Sequence, residues 1–98
     1  MPYAVEFTAE SQGHFLRLSA HEQRTVRDTL ATQLRYEPAV ATRNRKPLHA
    51  NPYATWELRV GDLRILYDIE DDRRVLVVLI GRKRGDRLIV GGEEITLT

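Results

Sequence analysis

The chain contains no cysteine, which excludes disulfides and thiolate metal sites and fits a reducing compartment. No apolar run approaches the roughly 18 residues of a membrane span, and the N-terminus lacks the basic-then-apolar pattern of a secretory signal. A cytoplasmic protein with no membrane association is therefore expected. Repeats and low-complexity tracts are absent, and so is any large excess of charge: the net value is +1, so bulk electrostatics do not announce a nucleic-acid binder. Common catalytic signatures fail on residue type. GDRLIVGG lacks the Gly-Lys-Ser/Thr that would reach phosphates and magnesium. His14, His21 and His49 have neither helical metal spacing nor a neighbouring third ligand, and no nucleophile elbow or serine triad is legible. No metal or cofactor is expected.

What is present suffices for one domain spanning 1–98, with 42% hydrophobic residues and room for a two-layer core. The bases are unevenly spread: Arg17, Arg24, Arg27 and Arg35 precede residue 42, and the other eleven follow it, clustered at Arg43, Arg45 and Lys46 and at Arg82, Lys83, Arg84 and Arg87. These clusters form a patch if folding brings them together.

Alternation of Tyr3, Val5 and Phe7 predicts a short strand. Thr8 caps a modest helix over Ala9 to Leu18, weakened by Gly13. Ser19 with Glu22 predicts a capping box for a better helix whose apolar stripe is Val26, Leu30 and Leu34. Tyr36-Glu37-Pro38 ends it, because the residue before proline disfavours helical geometry. From Pro38 to Tyr53 the pattern is that of a long loop containing RNRKPLHANP.

Trp56 to Gly81 reads as three antiparallel strands. Gly61-Asp62 suits a two-residue type II′ turn, which pairs Val60 with Leu63, Leu58 with Ile65 and Trp56 with Tyr67 on one apolar face. That face makes Trp56 and Tyr67 core residues. The other face pairs Arg59 with Arg64 and sets Glu57 opposite Leu66. Opposed arginines repel by a few tenths to about 1 kcal/mol unless an anion lies over them. A second turn at Asp71-Asp72 would set Tyr67 opposite Leu76 and Arg64 opposite Leu79, so that Val77, Leu79, Gly81 and Lys83 share the Arg64 face. Val75 to Ile80, apolar on both faces, is the central strand, and LIVGGEEITL forms a small hairpin or two short strands about Gly91-Gly92. The fold class is α+β, two N-terminal helices on one face of a mostly antiparallel sheet, in the order β-α-α-β-β-β plus a C-terminal β element. Arg59, Arg64 and Lys83 then converge at one end of the polar face, where forked guanidinium donors could hold a phosphate. The RNRKPL loop could close over the same end. Alternatively, Arg59 bridges to Glu57 or Asp68 and the bases serve solubility.

The phrases KPL at Lys46 to Leu48, WELRVGDLRILYDIEDD and VLVVLIGRKR resemble the RelE/ParE superfamily of type II toxin-antitoxin toxins, over most of the chain from its first strand through Arg84. The resemblance implies a RelE-like toxin fold, a cognate antitoxin protein as partner, and one of two targets: messenger RNA on the ribosome, cleaved by the RelE branch, or DNA gyrase, poisoned by the ParE branch. An inactive toxin homologue that still binds its antitoxin is a further reading. In the RNA-cleaving branch a 2′-hydroxyl attacks the adjacent phosphate, which requires a proton acceptor, cations for the phosphorane and an acid for the leaving oxygen. Arg64 matches the family arginine of the central hairpin, and Lys83 aligns with the basic residue that follows the last core strand. Glu57 and Thr55 stand where the best-known members have lysines, and the usual C-terminal tyrosine is replaced by LIVGGEEITLT. Glu57, on the Arg64 face, and His49, in the loop, are candidates for proton transfer, with a salt bridge and an exposed loop position as their respective alternatives. The catalytic set is Arg64, Lys83, Glu57 and His49; Arg43, Arg45, Lys46, Arg59, Arg82 and Arg84 are the candidate RNA-binding residues.

Overall fold

The computed structural model describes residues 2–97. In chain order the elements are β1 (Ala4–Phe7), α1 (Ala9–Leu16), α2 (Ala20–Gln33), β2 (Arg45–Pro47), β3 (Trp56–Val60), β4 (Leu63–Glu70), β5 (Arg74–Arg84), β6 (Arg87–Val90) and β7 (Glu93–Ile95). The fold is the α+β arrangement anticipated. Strands follow the order β2-β3-β4-β5-β6-β7 with antiparallel neighbours, while β1 joins the first half of β5 in parallel. At 11 residues β5 is long enough to pair with β4 along one edge and with β1 and then β6 along the other.

Both helices begin as their sequences dictate. The Thr8 hydroxyl accepts from the Ser11 amide and the Ser11 hydroxyl accepts from the Thr8 amide, both at 3.0 Å. Ser11 Oγ also donates to the Val77 carbonyl at 2.7 Å, tying α1 to β5. Ser19 and Glu22 make the predicted reciprocal box. α1 ends at Leu16, two residues early, with Arg17 as its C-cap. α2 closes at Leu34, ahead of the proline signal. Val26, Leu30 and Leu34 are buried against Leu58, Ile65, Tyr67, Val75, Val77 and Ile80, the main core. Trp56 stacks on Tyr67 with centroids 6.1 Å apart, and the Tyr67 hydroxyl donates to the Pro38 carbonyl at 2.7 Å. Both rings are structural, as expected.

The first hairpin has the predicted register throughout, with Gly61 at φ +61. The second does not. Its turn holds three residues, Asp71 to Arg73, with Asp72 and Arg73 both at positive φ, so Tyr67 faces Val77 rather than Leu76. A bulge opposite Leu66/Tyr67 then inserts one more residue, and Arg64 faces Gly81 rather than Leu79. Each extra residue flips side-chain parity and two restore it. Val77 therefore lies on the helix face, contrary to expectation, while Leu79, Gly81 and Lys83 remain on the Arg64 face. Val78 and Leu79, consecutive in sequence, both join a second apolar cluster on that face with Ala54, Leu66, Leu88 and Val90.

The stretch read as one long loop contains β2, which pairs with β3 and sets Arg45 opposite Leu58 and Lys46 opposite Glu57. Pro47 is compatible with a strand at the edge of the sheet. At the C-terminus Gly91 and Gly92 both have positive φ, as a two-residue hairpin turn requires, which bears out the small hairpin. Among the described residues no helix is long and apolar enough to cross a membrane.

Candidate functional site

On the face away from the helices the sheet curls, so that its two edges wall one groove of about 400 Å³. β2 and β3 contribute Lys46, Glu57 and Arg59, β4 contributes Arg64, β5 Lys83, and the β5–β6 turn and β6 add Asp86, Arg87 and Leu88. Glu94 to Leu97 form the opposite wall. Five cationic and three acidic side chains thus share one concavity.

Arg59 and Arg64 are directly opposed, as the turn geometry demands. Two local devices relieve the repulsion. Arg59 leans toward Glu57, with Nε 3.8 Å from Oε1, and Lys46 Nζ approaches the same oxygen at 3.7 Å. Arg64 folds over the turn and donates through Nη1 to the Gly61 and Leu63 carbonyls, each at 2.8 Å. The same turn fixes the neighbouring strand: the Lys83 amide donates to the Asp62 carbonyl at 2.8 Å, and Arg82 Nη1 reaches the Asp62 carboxylate at 3.0 Å. Gly61 and Asp62 therefore hold Arg64 and Lys83 relative to one another. No carboxylate pairs with either cation among the described residues. Asp68, a proposed partner of Arg59, instead accepts from the amide and hydroxyl of Thr55.

Glu57 is buried on the groove floor. Arg59 Nε is buried there too, without a hydrogen-bond acceptor, and 3.8 Å from a carboxylate is a charge contact rather than a hydrogen bond. Such an unpaired donor costs about 1–3 kcal/mol.

The structure does not gather every predicted residue. His49 is exposed and lines a separate depression with Asp68, so the Asn51-anchored loop keeps it out of the groove. Arg43 is exposed in the turn before β2 and does not line the groove either. Arg45 is a correction: opposite Leu58 it points into the interior, 7% exposed, and its guanidinium donates to the Gln33 carbonyl at the C-terminal end of α2. It anchors a helix end. Arg82 and Arg84 are corrections as well. They alternate with Lys83 along β5, so they face the helix side. There Arg82 bridges Glu22 at 2.7 Å and Asp62, lowering the Glu22 pKa first through the side-chain hydrogen bond and raising its own.

Arg87, counted in the basic cluster but not among the candidate RNA-binding residues, lines the groove, as do Asp86 and the C-terminal wall, which the sequence reading did not include. A signal existed: Gly85-Asp86 repeats the Gly61-Asp62 turn, with Gly85 at φ +65, and continuing the register from Lys83 sets Leu88 beside it.

Fold and groove together define a compact two-layer protein with a cation-lined sheet face. A family model described as the ParE toxin of type II toxin-antitoxin system, parDE, matches residues 5–87. The structure is similar to a chain of the RelBE2 toxin-antitoxin complex from Mycobacterium tuberculosis, with a TM-score of 0.71 and 27% identity, covering 85% of this chain and 100% of that one. No curated relative matches the sequence. The chain belongs to the ParE toxin family of type II toxin-antitoxin systems, within the RelE/ParE superfamily.

Proposed function

We propose that this toxin binds RNA across the groove and acts as a ribosome-associated messenger-RNA endonuclease that inhibits translation, held in check by a cognate antitoxin protein. The observation that carries this reading is the meeting of Arg59, Arg64 and Lys83 on one sheet face around the buried carboxylate of Glu57. Arg64 and Lys83 have no carboxylate to neutralise them among the described residues, so a phosphodiester supplies what the groove is missing. In the proposed step Glu57 takes the proton of a 2′-hydroxyl, the O2′–P bond forms and the P–O5′ bond breaks. Charge on the phosphorane is met by Arg64 and Lys83, water supplies the proton to the leaving oxygen, and the protonated Glu57 returns its proton to the hydroxide so formed. Lys46 and Arg87, the latter bridged to Glu94 at 3.4 Å, border the track along the strand of RNA.

A second reading belongs to the ParE branch, whose name the matching family model carries: inhibition of DNA gyrase without nuclease chemistry. It is favoured by His49 lying outside the groove and by the engagement of Glu57 with two cations. The readings separate in paired assays. In cell-free translation, the chain should stop protein synthesis and fragment the message; in a gyrase supercoiling assay, it should do nothing. Lost supercoiling with intact message selects the gyrase reading.

A further inference from the structure

Two cations of the groove hang on the β3–β4 turn, and that turn is gripped from behind the sheet. Arg64 Nη1 donates to the carbonyls of Gly61 and Leu63, the two residues that flank Asp62, and the Lys83 amide donates to the Asp62 carbonyl. Gly61 and Asp62 are themselves exposed. On the helix side the Asp62 carboxylate accepts from Arg82 Nη1 at 3.1 and 3.0 Å, while Arg82 Nη2 donates to Glu22 Oε2 at 2.7 Å. The other oxygen of Glu22 accepts from the Ser19 amide at 3.1 Å, within the capping box that starts α2. Because a guanidinium is a rigid planar fork, the place of the helix start sets the place of the turn. The Arg82 and Glu22 side chains are only 29% and 27% exposed, so this link is better shielded from water than an ordinary surface pair. Arg82 itself does not line the groove.

We propose that Arg82 is a positioning residue for the groove: from the opposite face of the sheet it locks the β3–β4 turn to the start of α2 and thereby aims the Arg64 guanidinium at a bound phosphate. A shift of Asp62 moves both carbonyl acceptors of Arg64 together, since they belong to its two neighbours, and moves the anchor of the Lys83 backbone with them. Stabilisation of a phosphorane by a forked donor falls steeply when the donor is misplaced by about 1 Å. The longer-range attraction between cation and phosphate changes little over that distance. Loosening the bridge therefore lowers kcat and leaves KM in place. This role rests on the reading of the groove as a site of RNA cleavage, while the coupling of Arg82 to Arg64 belongs to the chain alone.

The test follows the Arg64 side chain by nuclear magnetic resonance in the full chain labelled with nitrogen-15 arginine, comparing wild type with Arg82→Gln and Glu22→Gln. Glutamine at 22 still accepts from the Ser19 amide, so the helix cap survives in the second variant. Both variants should lower the heteronuclear Overhauser effect at Arg64 Nε and speed exchange of its guanidinium protons about fivefold, the equivalent of one net hydrogen bond. Arg45→Met, which loosens the far end of α2, should leave those signals as in wild type. In cleavage of a ribosome-bound message the two bridge variants should lose about fivefold in kcat at unchanged KM. Unaltered Arg64 signals in the bridge variants, equal loosening in Arg45→Met, or a raised KM at unchanged kcat would overturn the proposal. A wild-type chain that leaves the message intact overturns the RNA reading alone, because the resonance measurement needs no substrate.

Discussion

At the scale of single residues, Glu57 and Gly81 carry the sharpest consequences. Glu57 sits 3.7 Å from Lys46 and 3.8 Å from Arg59, so it both serves the proposed proton transfer and partly neutralises the cations that would hold phosphate. The Glu57→Gln variant should therefore bind single-stranded RNA about two- to fivefold more tightly, from relief of ~0.5–1 kcal/mol of charge compensation, while cleaving it far more slowly. Fluorescence anisotropy and a cleavage time course check the two halves independently. A variant that loses both binding and cleavage would mark Glu57 as a scaffold for Arg59 and Lys46. Gly81 is needed for closeness of strands rather than for backbone freedom. A β-carbon there would lie 2.8 Å from Val90 Cγ2, 2.9 Å from the Ile89 carbonyl oxygen and 3.0 Å from Leu88 Cδ1. Gly81→Ala should cost about 1–3 kcal/mol by overpacking, read as a lower urea midpoint with an unchanged slope.

Among the elements, the Arg82 bridge couples three: α2 through Glu22, the β3–β4 turn through Asp62, and β5 itself. The Glu22 pKa is lower in the folded chain than its ordinary 4.5. Its contribution to stability is therefore fully present above that value and fades as the pH falls through the folded-state pKa. The stability gap between wild type and Arg82→Met should be largest near neutrality and close in acid, as measured by urea unfolding across a pH series. A gap independent of pH would assign the loss to packing. Arg45 does comparable work for the preceding segment, pinning β2 to the end of α2. Arg45→Met should destabilise by about 1.5–3 kcal/mol and accelerate hydrogen exchange first between residues 34 and 47.

These elements also show what could be read in advance. The register of the first hairpin followed from Gly61-Asp62 and strict alternation, both local features. That of the second depended on a turn one residue longer than its acids suggest and on a bulge at Val78 with no residue signature. The errors cancelled in parity, which is why Lys83 was assigned to the correct face. β2 escaped notice because three residues cannot establish a period and their partners lie nine to thirteen positions onward. Arg45, Arg82 and Arg84 were grouped with Lys46 and Lys83 by nearness in sequence, although alternation along a strand sends nearest neighbours to opposite faces.

For the molecule as a whole, the sheet separates two basic surfaces. The groove face has Arg59, Arg64 and Lys83 over a buried carboxylate, and the helix face has Arg17 and Arg84 over aliphatic floor. Net charge reports neither surface, because it sums acids from the whole chain, whereas Arg64 and Lys83 on one face and Arg17 and Arg84 on the other have no carboxylate partner among the described residues. The proposed function requires the two faces to behave differently, and the cleavage rate of a ribosome-bound message measures that difference most directly. Arg64→Ala should slow cleavage by at least about tenfold, equivalent to ~1.4 kcal/mol of lost transition-state stabilisation. Arg24→Ala, at an exposed position on α2 behind the sheet, should cleave like wild type. Equal losses in both variants, or a wild-type chain that leaves the message intact, would contradict the account.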